Sequence, residues 1–154
     1  SFDVPDVDDY TVPFGKARIW REGKDVTIVS FGIGMTYALE AAEKLAEEGI
    51  DAEVIDLRWL DAASIDWDTI GESIRKTNNV MIVEQGSRGT SYGGWLTDEI
   101  QRRYFDWLDS PIQRISGAES APTISAVLEK AALPNEDTVA QALVDHFATP
   151  HGSR

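Results

Sequence analysis

Val26-Thr-Ile-Val-Ser-Phe31, Gly32-Ile-Gly34, the alanine-spaced run to Gly49, and Ala52-Glu-Val-Ile-Asp-Leu57 together decide the fold. The first segment is β-branched and almost continuously apolar, the pattern of a strand buried on both faces. Gly32 and Gly34 break it. Ala38, Ala41, Ala42 and Leu45 then recur at helical spacing, and Gly49 marks where that helix stops. Small side chains on this face let a helix lie close on a sheet. Ala52 to Leu57 is a second buried strand. Strand, helix and strand in series make a βαβ unit, whose crossover is right-handed in nearly all proteins.

The alternation extends both ways. Upstream, Lys16-Ala-Arg-Ile-Trp20 alternates polar and apolar like a half-buried strand, and Gly23 sits in the polar turn after it. Downstream, Trp67, Ile70 and Ile74 space a helix, and Asn79-Val-Met-Ile-Val83 is a strand. A loop from Gly86 to Gly94 leads into a helix with Leu96, Ile100 and Tyr104 on one face. Pro111-Ile-Gln-Arg-Ile115 reads as the last strand and Ser125 to Leu133 as a short helix. Asn135 caps a final helix that turns Val139, Ala142, Leu143 and Phe147 inward. The prediction is a three-layer α/β/α domain on a mostly parallel sheet of about five strands.

Asp3, Asp6, Asp8 and Asp9 alternate with Val4, Pro5, Val7 and Pro13 without helical or strand period. Residues 1–15 therefore read as a linker from a preceding domain, residues 16–148 as the domain, and residues 149–154 as a disordered tail. That makes the chain a segment of a longer protein. Its 154 residues suffice for a core without disulfides or metal. The 27 acids against 14 bases give a net charge of −13, which opposes nucleic acid and anionic membranes as partners and favours a basic one. No cysteine is present, so disulfides, thiolate metal sites and cysteine nucleophiles are excluded.

Two constellations carry chemical meaning. Gly32 and Gly34 after a strand, with Asp56 at the end of the next, have the layout of a dinucleotide fold, in which glycines admit a pyrophosphate and an acid holds a ribose. The third glycine is missing; Tyr37 stands there. The competing reading is a tight turn of any βαβ unit. The second is Glu84-Gln-Gly-Ser-Arg-Gly-Thr-Ser-Tyr-Gly-Gly94, where glycines and hydroxyls precede a helix and Arg88 could pair with an anion. No Gly-Lys-Ser/Thr occurs, so it is not a nucleotide P-loop. An interface loop is the competing reading, with Glu84, Arg88, Tyr92 and Arg114 as its candidate residues. His146 and His151 lack a partner serine or metal-ligand spacing and read as structural. Asp61, Asp66 and Asp68 read as caps of a helix start, and Trp59, Trp67, Trp95 and Trp107 as core or interface anchors. No catalytic set and no metal site emerges.

Tyr10-Thr-Val-Pro-Phe-Gly-Lys-Ala17 and Arg21-Glu-Gly-Lys-Asp-Val-Thr-Ile-Val-Ser30 resemble the opening of the C-terminal domain in the β subunit of thiamine-dependent 2-oxo acid dehydrogenases. Ala41-Ala-Glu-Lys-Leu45, Glu53-Val-Ile-Asp-Leu-Arg58, Lys76-Thr-Asn78, Val83-Glu84, Leu108-Asp-Ser-Pro111 and Arg114-Ile-Ser-Gly117 continue the resemblance in order, over residues 10–147. The wider group is the transketolase C-terminal domain. The resemblance implies an enzyme that uses thiamine diphosphate and Mg²⁺ to decarboxylate a 2-oxo acid and pass the acyl group to a lipoyl arm. It implies that other domains bind the cofactor and that none is held here. It also implies a role in dimerisation and docking. The partners would be a homologous β domain, an α subunit or fused α region, and the basic docking domain of a dihydrolipoyl acyltransferase. The expected location is bacterial cytoplasm or mitochondrial matrix. Two departures stand out. Leu60-Asp-Ala-Ala-Ser-Ile65 lacks the family's proline, and Glu119-Ser-Ala-Pro122 keeps at most one of the prolines that usually follow the last strand. The alternative to the family reading is an independent dinucleotide- or anion-binding module.

Overall fold

The computed structural model describes residues 9–119 and 124–149. Its elements follow in the order β1 (Arg18–Arg21), β2 (Val26–Ser30), α1 (Gly34–Glu47), β3 (Ala52–Asp56), α2 (Trp67–Thr77), β4 (Val80–Ser87), α3 (Tyr92–Tyr104), β5 (Gln113–Gly117), α4 (Ala126–Ala132) and α5 (Glu136–Ala148). A single 3₁₀ turn, Phe105–Trp107, follows α3. The five strands form one sheet in the order β1-β3-β2-β4-β5. β1 runs antiparallel to β3, and every other pair is parallel. The expected three-layer α/β/α architecture is present.

The pleat of the strands explains the layers, because successive side chains point to opposite faces. On one face Val26, Ile28, Val54, Met81 and Val83 meet Ala38, Ala41, Ala42 and Leu45 of α1 and Val139 and Leu143 of α5. On the other, Val29, Val80 and Ile82 meet Ile70 and Ile74 of α2 and Leu96, Ile100 and Tyr104 of α3. Gly34 lets α1 start against the sheet: a Cβ there would lie 2.5 Å from Ser30 Oγ and 2.9 Å from the Val83 carbonyl. Gly71 does the same for α2 beneath the Tyr104 ring.

Caps set the helix starts. The Asp66 carboxylate accepts the Thr69 N–H at 3.3 Å and the Ala17 N–H at 3.2 Å, so it ties α2 to the segment entering β1. Burial pushes the Asp66 carboxyl upward, but these hydrogen bonds and the Lys16 charge outweigh it and hold it below its usual range. Asp61 instead accepts the Ser64 hydroxyl at 2.9 Å, and Asp68 lies in the first turn of α2. Asn135 and Thr138 form a reciprocal capping box at the start of α5, as Asn135 led one to expect.

Several expectations shift. β5 begins at Gln113 rather than Pro111, whose nitrogen has no proton to give a ladder. β4 runs on to Ser87, because Ser87 pairs with Gly117 beyond a register shift. Phe147 is exposed rather than inward, and Ala140 is buried in the helix face instead. None of the tryptophans is buried: Trp20 and Trp107 are exposed, and the other three are half-buried. His146 does meet a serine, with Nε2 3.2 Å from Ser110 Oγ and 3.3 Å from Asn79 Oδ1. This cluster fastens α5 to the amino ends of β4 and β5. Ser110 Oγ donates to Asn79 Oδ1 at 3.0 Å, and the asparagine and serine share one imidazole nitrogen of His146. The proline-poor stretch after Glu119 lies outside the described residues. So do residues 1–8 of the linker, and the tail beyond Thr149. Among the described residues no helix is long and apolar enough to cross a membrane.

Candidate functional site

Glu84 sits near the carboxyl end of β4 and is 2% exposed. A buried carboxylate must be hydrogen-bonded to be tolerated. Ser91 Oγ donates to Oε1 at 2.6 Å and the Gly93 N–H donates to Oε2 at 2.9 Å, so the carboxylate holds the first turn of α3. Gly93 is required for that approach: a Cβ there would lie 2.2 Å from Oε1. A Cβ on Gly86 would likewise come 2.8 Å from Ser91 Cβ. These two glycines serve close packing of loop, strand and helix.

The neighbouring strand supplies Arg114. Its Nε lies 3.9 Å from Glu84 Oε1, and its Nη2 donates to the Arg88 carbonyl. Gly94 leaves space for the guanidinium, since a Cβ there would be 2.9 Å from Nη1. Glu84, Arg88 and Arg114, singled out from sequence, are therefore brought together. Tyr92 turns elsewhere. Its ring packs edge-on against Phe31 at 5.8 Å and against Trp95 at 5.0 Å. Its hydroxyl is buried without a hydrogen-bond partner among the described residues, and burial together with the Asp61 charge raises its pKa above the ordinary phenol value.

The dinucleotide constellation is placed as follows. Gly32 adopts a left-handed φ of 56° with open space around it, and Gly34 is in contact with β2 and β4. Asp56 Oδ1 accepts the Arg58 N–H at 3.0 Å and Oδ2 accepts Trp20 Nε1 at 3.4 Å, so both oxygens are engaged. Arg58 itself holds a φ of 58°, rare for a non-glycine residue.

Sequence reasoning missed a second buried carboxylate, Glu53, which is 1% exposed on β3. Burial pushes it upward, but hydrogen bonds from Lys76, Ser73 and the Gly23 N–H hold it below the usual carboxylate range. Lys76 is raised in turn by Glu53 and Glu22, against the effect of its own burial. A lone Glu inside a strand of apolar neighbours was the available signal. The short helix expected over Ser125 to Leu133 is α4, and none of its residues is buried: Val127 is 78% and Leu128 58% exposed, with Ile124 fully exposed just before it. Among the described residues no three His, Cys, Asp or Glu side chains converge as a metal site. Both oxygens of Glu84 and both of Asp56 are engaged in holding the local structure.

Residues 15–139 match the family described as transketolase, C-terminal domain. The chain is 47% identical over 143 residues to the pyruvate dehydrogenase E1 component subunit beta of Rhizobium meliloti (strain 1021), covering 93% of this chain and 31% of that protein. It is 42% identical over 145 residues to the mitochondrial pyruvate dehydrogenase E1 component subunit beta of Dictyostelium discoideum, covering 92% of this chain and 40% of that one. A solved structure described as a split gene transketolase, inactive beta4 tetramer, superposes with a TM-score of 0.74 at 31% identity, covering 94% of this chain and 46% of that chain. The chain thus spans less than half the length of these relatives.

Proposed function

Because the chain belongs to the transketolase C-terminal domain family, we propose that it is the C-terminal part of the β component of a thiamine-diphosphate-dependent 2-oxo acid dehydrogenase, serving assembly rather than the chemical step. The observation that carries the assembly role is α4. A helix whose Val127 and Leu128 lie open to solvent leaves apolar area that a partner surface would cover. The pyruvate dehydrogenase relatives support a 2-oxo acid as substrate of the whole enzyme.

Thiamine diphosphate with Mg²⁺ needs convergent oxygen ligands around the metal, and among the described residues no three His, Cys, Asp or Glu side chains converge. The reading assigns that group, and the decarboxylation it supports, to other domains. Glu84 and Arg114 then hold the loop, and Tyr92 anchors it against Phe31 and Trp95. The partners are a homologous β domain, an α subunit or fused α region, and a basic acyltransferase docking domain. The net charge of −13 favours the last by long-range attraction. The compartment would be the bacterial cytoplasm or the mitochondrial matrix.

The test is a double substitution, Val127→Asp with Leu128→Asp, in the full chain co-expressed with its α component. At exposures of 78% and 58%, both side chains should leave folding within about 0.5 kcal/mol of the parent. Covering them in an assembly is worth about 2–3 kcal/mol together, or roughly 30- to 150-fold in affinity. Sedimentation analysis should show that loss. Unchanged assembly would refute α4 as an interface element.

A further inference from the structure

The carboxyl end of β5 opens into a cleft of about 500 Å³, lined among others by Arg88, Arg114, Ser116, Gly117, Glu119 and Thr138. The assembly reading makes no use of this cavity. Two guanidinium groups share it. Arg114 is 20% exposed, and its only ion pair among the described residues is the contact with Glu84 at 3.9 Å, the outer limit for such a pair. Glu84 is already occupied by Ser91 and Gly93. Arg88 is exposed, and its guanidinium makes no ion pair or hydrogen bond among the described residues. The bond from Arg114 Nη2 to the Arg88 carbonyl holds the two residues side by side.

The chain as a whole is acidic, with 27 acids to 14 bases, whereas the charged residues lining this cleft are two arginines and one glutamate, which makes it locally basic. An anion entering the cleft meets two cationic side chains on its lining. The planar guanidinium fork is suited to phosphate and carboxylate oxygens. The cleft also lies where ligands of open α/β sheets bind, beyond the carboxyl ends of the strands.

We infer that this cleft binds a small organic oxyanion, a phosphate monoester or a carboxylate, through Arg88 and Arg114. The volume lies within the range of about 300–1,000 Å³ for small-molecule pockets and exceeds what an inorganic ion fills. Glu119 on the lining opposes a second anionic group, so the remainder of the ligand is neutral, with hydroxyl donors. Ser116 offers a further hydroxyl. The Thr138 hydroxyl is engaged in the capping box of α5 and supplies only wall.

Calorimetric titration of the full chain with glycerol 3-phosphate and with glycerate separates the two anion types, and inorganic phosphate is the control. Saturable binding of one organic ligand is expected, with Kd at or below about 1 mM. Arg88→Gln, at an exposed position, should fold normally and weaken it about tenfold or more. Arg114→Lys keeps the charge but loses the fork and should also weaken it. Arg102→Gln, on the exposed face of α3, should leave it unchanged. The inference is overturned if neither organic ligand saturates below about 10 mM. It is overturned equally if Arg102→Gln weakens binding as much as Arg88→Gln, or if inorganic phosphate binds as tightly as either ligand.

Discussion

Replacing Glu84 tests how the loop before α3 is held. In the native site its two oxygens accept the Ser91 hydroxyl and the Gly93 N–H, and Arg114 approaches at 3.9 Å. Glu84→Gln keeps the shape. The amide oxygen can still accept from Gly93, and the Ser91 hydroxyl can rotate to accept from the new amide nitrogen. Two charge-assisted hydrogen bonds become neutral ones, a loss of about 1 kcal/mol each. The long contact to Arg114 adds little. The expected cost is about 2 kcal/mol, which in a domain of this size lowers Tm by roughly 4–8 °C. Glu84→Leu leaves the Gly93 N–H and the Ser91 hydroxyl buried without acceptors, at about 1–3 kcal/mol apiece, so its cost should reach roughly 3–5 kcal/mol. Urea unfolding at neutral pH measures both. Hydrogen exchange at the Gly93 and Gly94 amides should rise first, because the damage begins in the first turn of α3. A leucine variant as stable as the parent would refute the claim that this carboxylate organises the loop.

Three further outcomes follow from the geometry. Asp66 is held below its usual range in the fold, so its contribution is complete above the unfolded carboxylate pKa of about 3.9 and is lost as pH falls through the lower folded value. Asp66→Asn should reduce the acid-side loss of stability in a pH series of denaturation midpoints; an unchanged acid limb would contradict the assignment. Lys76→Met removes the cation beside buried Glu53 and should cost about 3 kcal/mol, softened by the partial exposure of Lys76, and Glu53 should then take up its proton at higher pH. Stability that is unchanged, with no new proton uptake between pH 4 and 7 in roughly the carboxylate range, would count against the pair. Gly71→Ala brings a Cβ to 2.7 Å from the Tyr104 ring and should cost about 1–3 kcal/mol by thermal unfolding, whereas a stabilised variant would show that the ring moves aside freely.

The legible part of the molecule was the part governed by periodicity. The run from Val26 to Leu57 dictated strand, helix and strand because its apolar residues fill both sides of a sheet, and the alanines of α1 show where the helix presses closest. Asn135 was legible as a cap because a short amide at a helix start has one obvious use. Element ends were less legible where tertiary pairing sets them. β4 reaches Ser87 because β5 offers Gly117 across the ladder, which no local pattern reveals. The four candidates at the loop from Gly86 to Gly94 were read together from sequence, and the structure separates them. Glu84, Arg88 and Arg114 converge, whereas Tyr92 joins Phe31 and Trp95, and that separation depends on which face each backbone position presents. His146 and Ser110 are 36 residues apart, so their meeting was invisible before the sheet brought them together. The short helix α4 was legible as an element, but the exposure of Val127 and Leu128 depends on what packs over it, which no local pattern states.

The strand order carries a kinetic consequence. β2 lies in the middle of the sheet, yet its second neighbour is β4, and the Ser30 hydroxyl finds the Val83 carbonyl 53 residues downstream. A chain emerging from synthesis can build β1, β2, α1 and β3 early, but one side of Val26–Ser30 then stays open until β4 arrives. That open side is uncharged and rich in β-branched residues, a template for pairing with another chain. The slow step of folding should therefore be the docking of β4, and destabilising α2, which must cross over before β4 can dock, should lengthen the interval in which nascent chains aggregate.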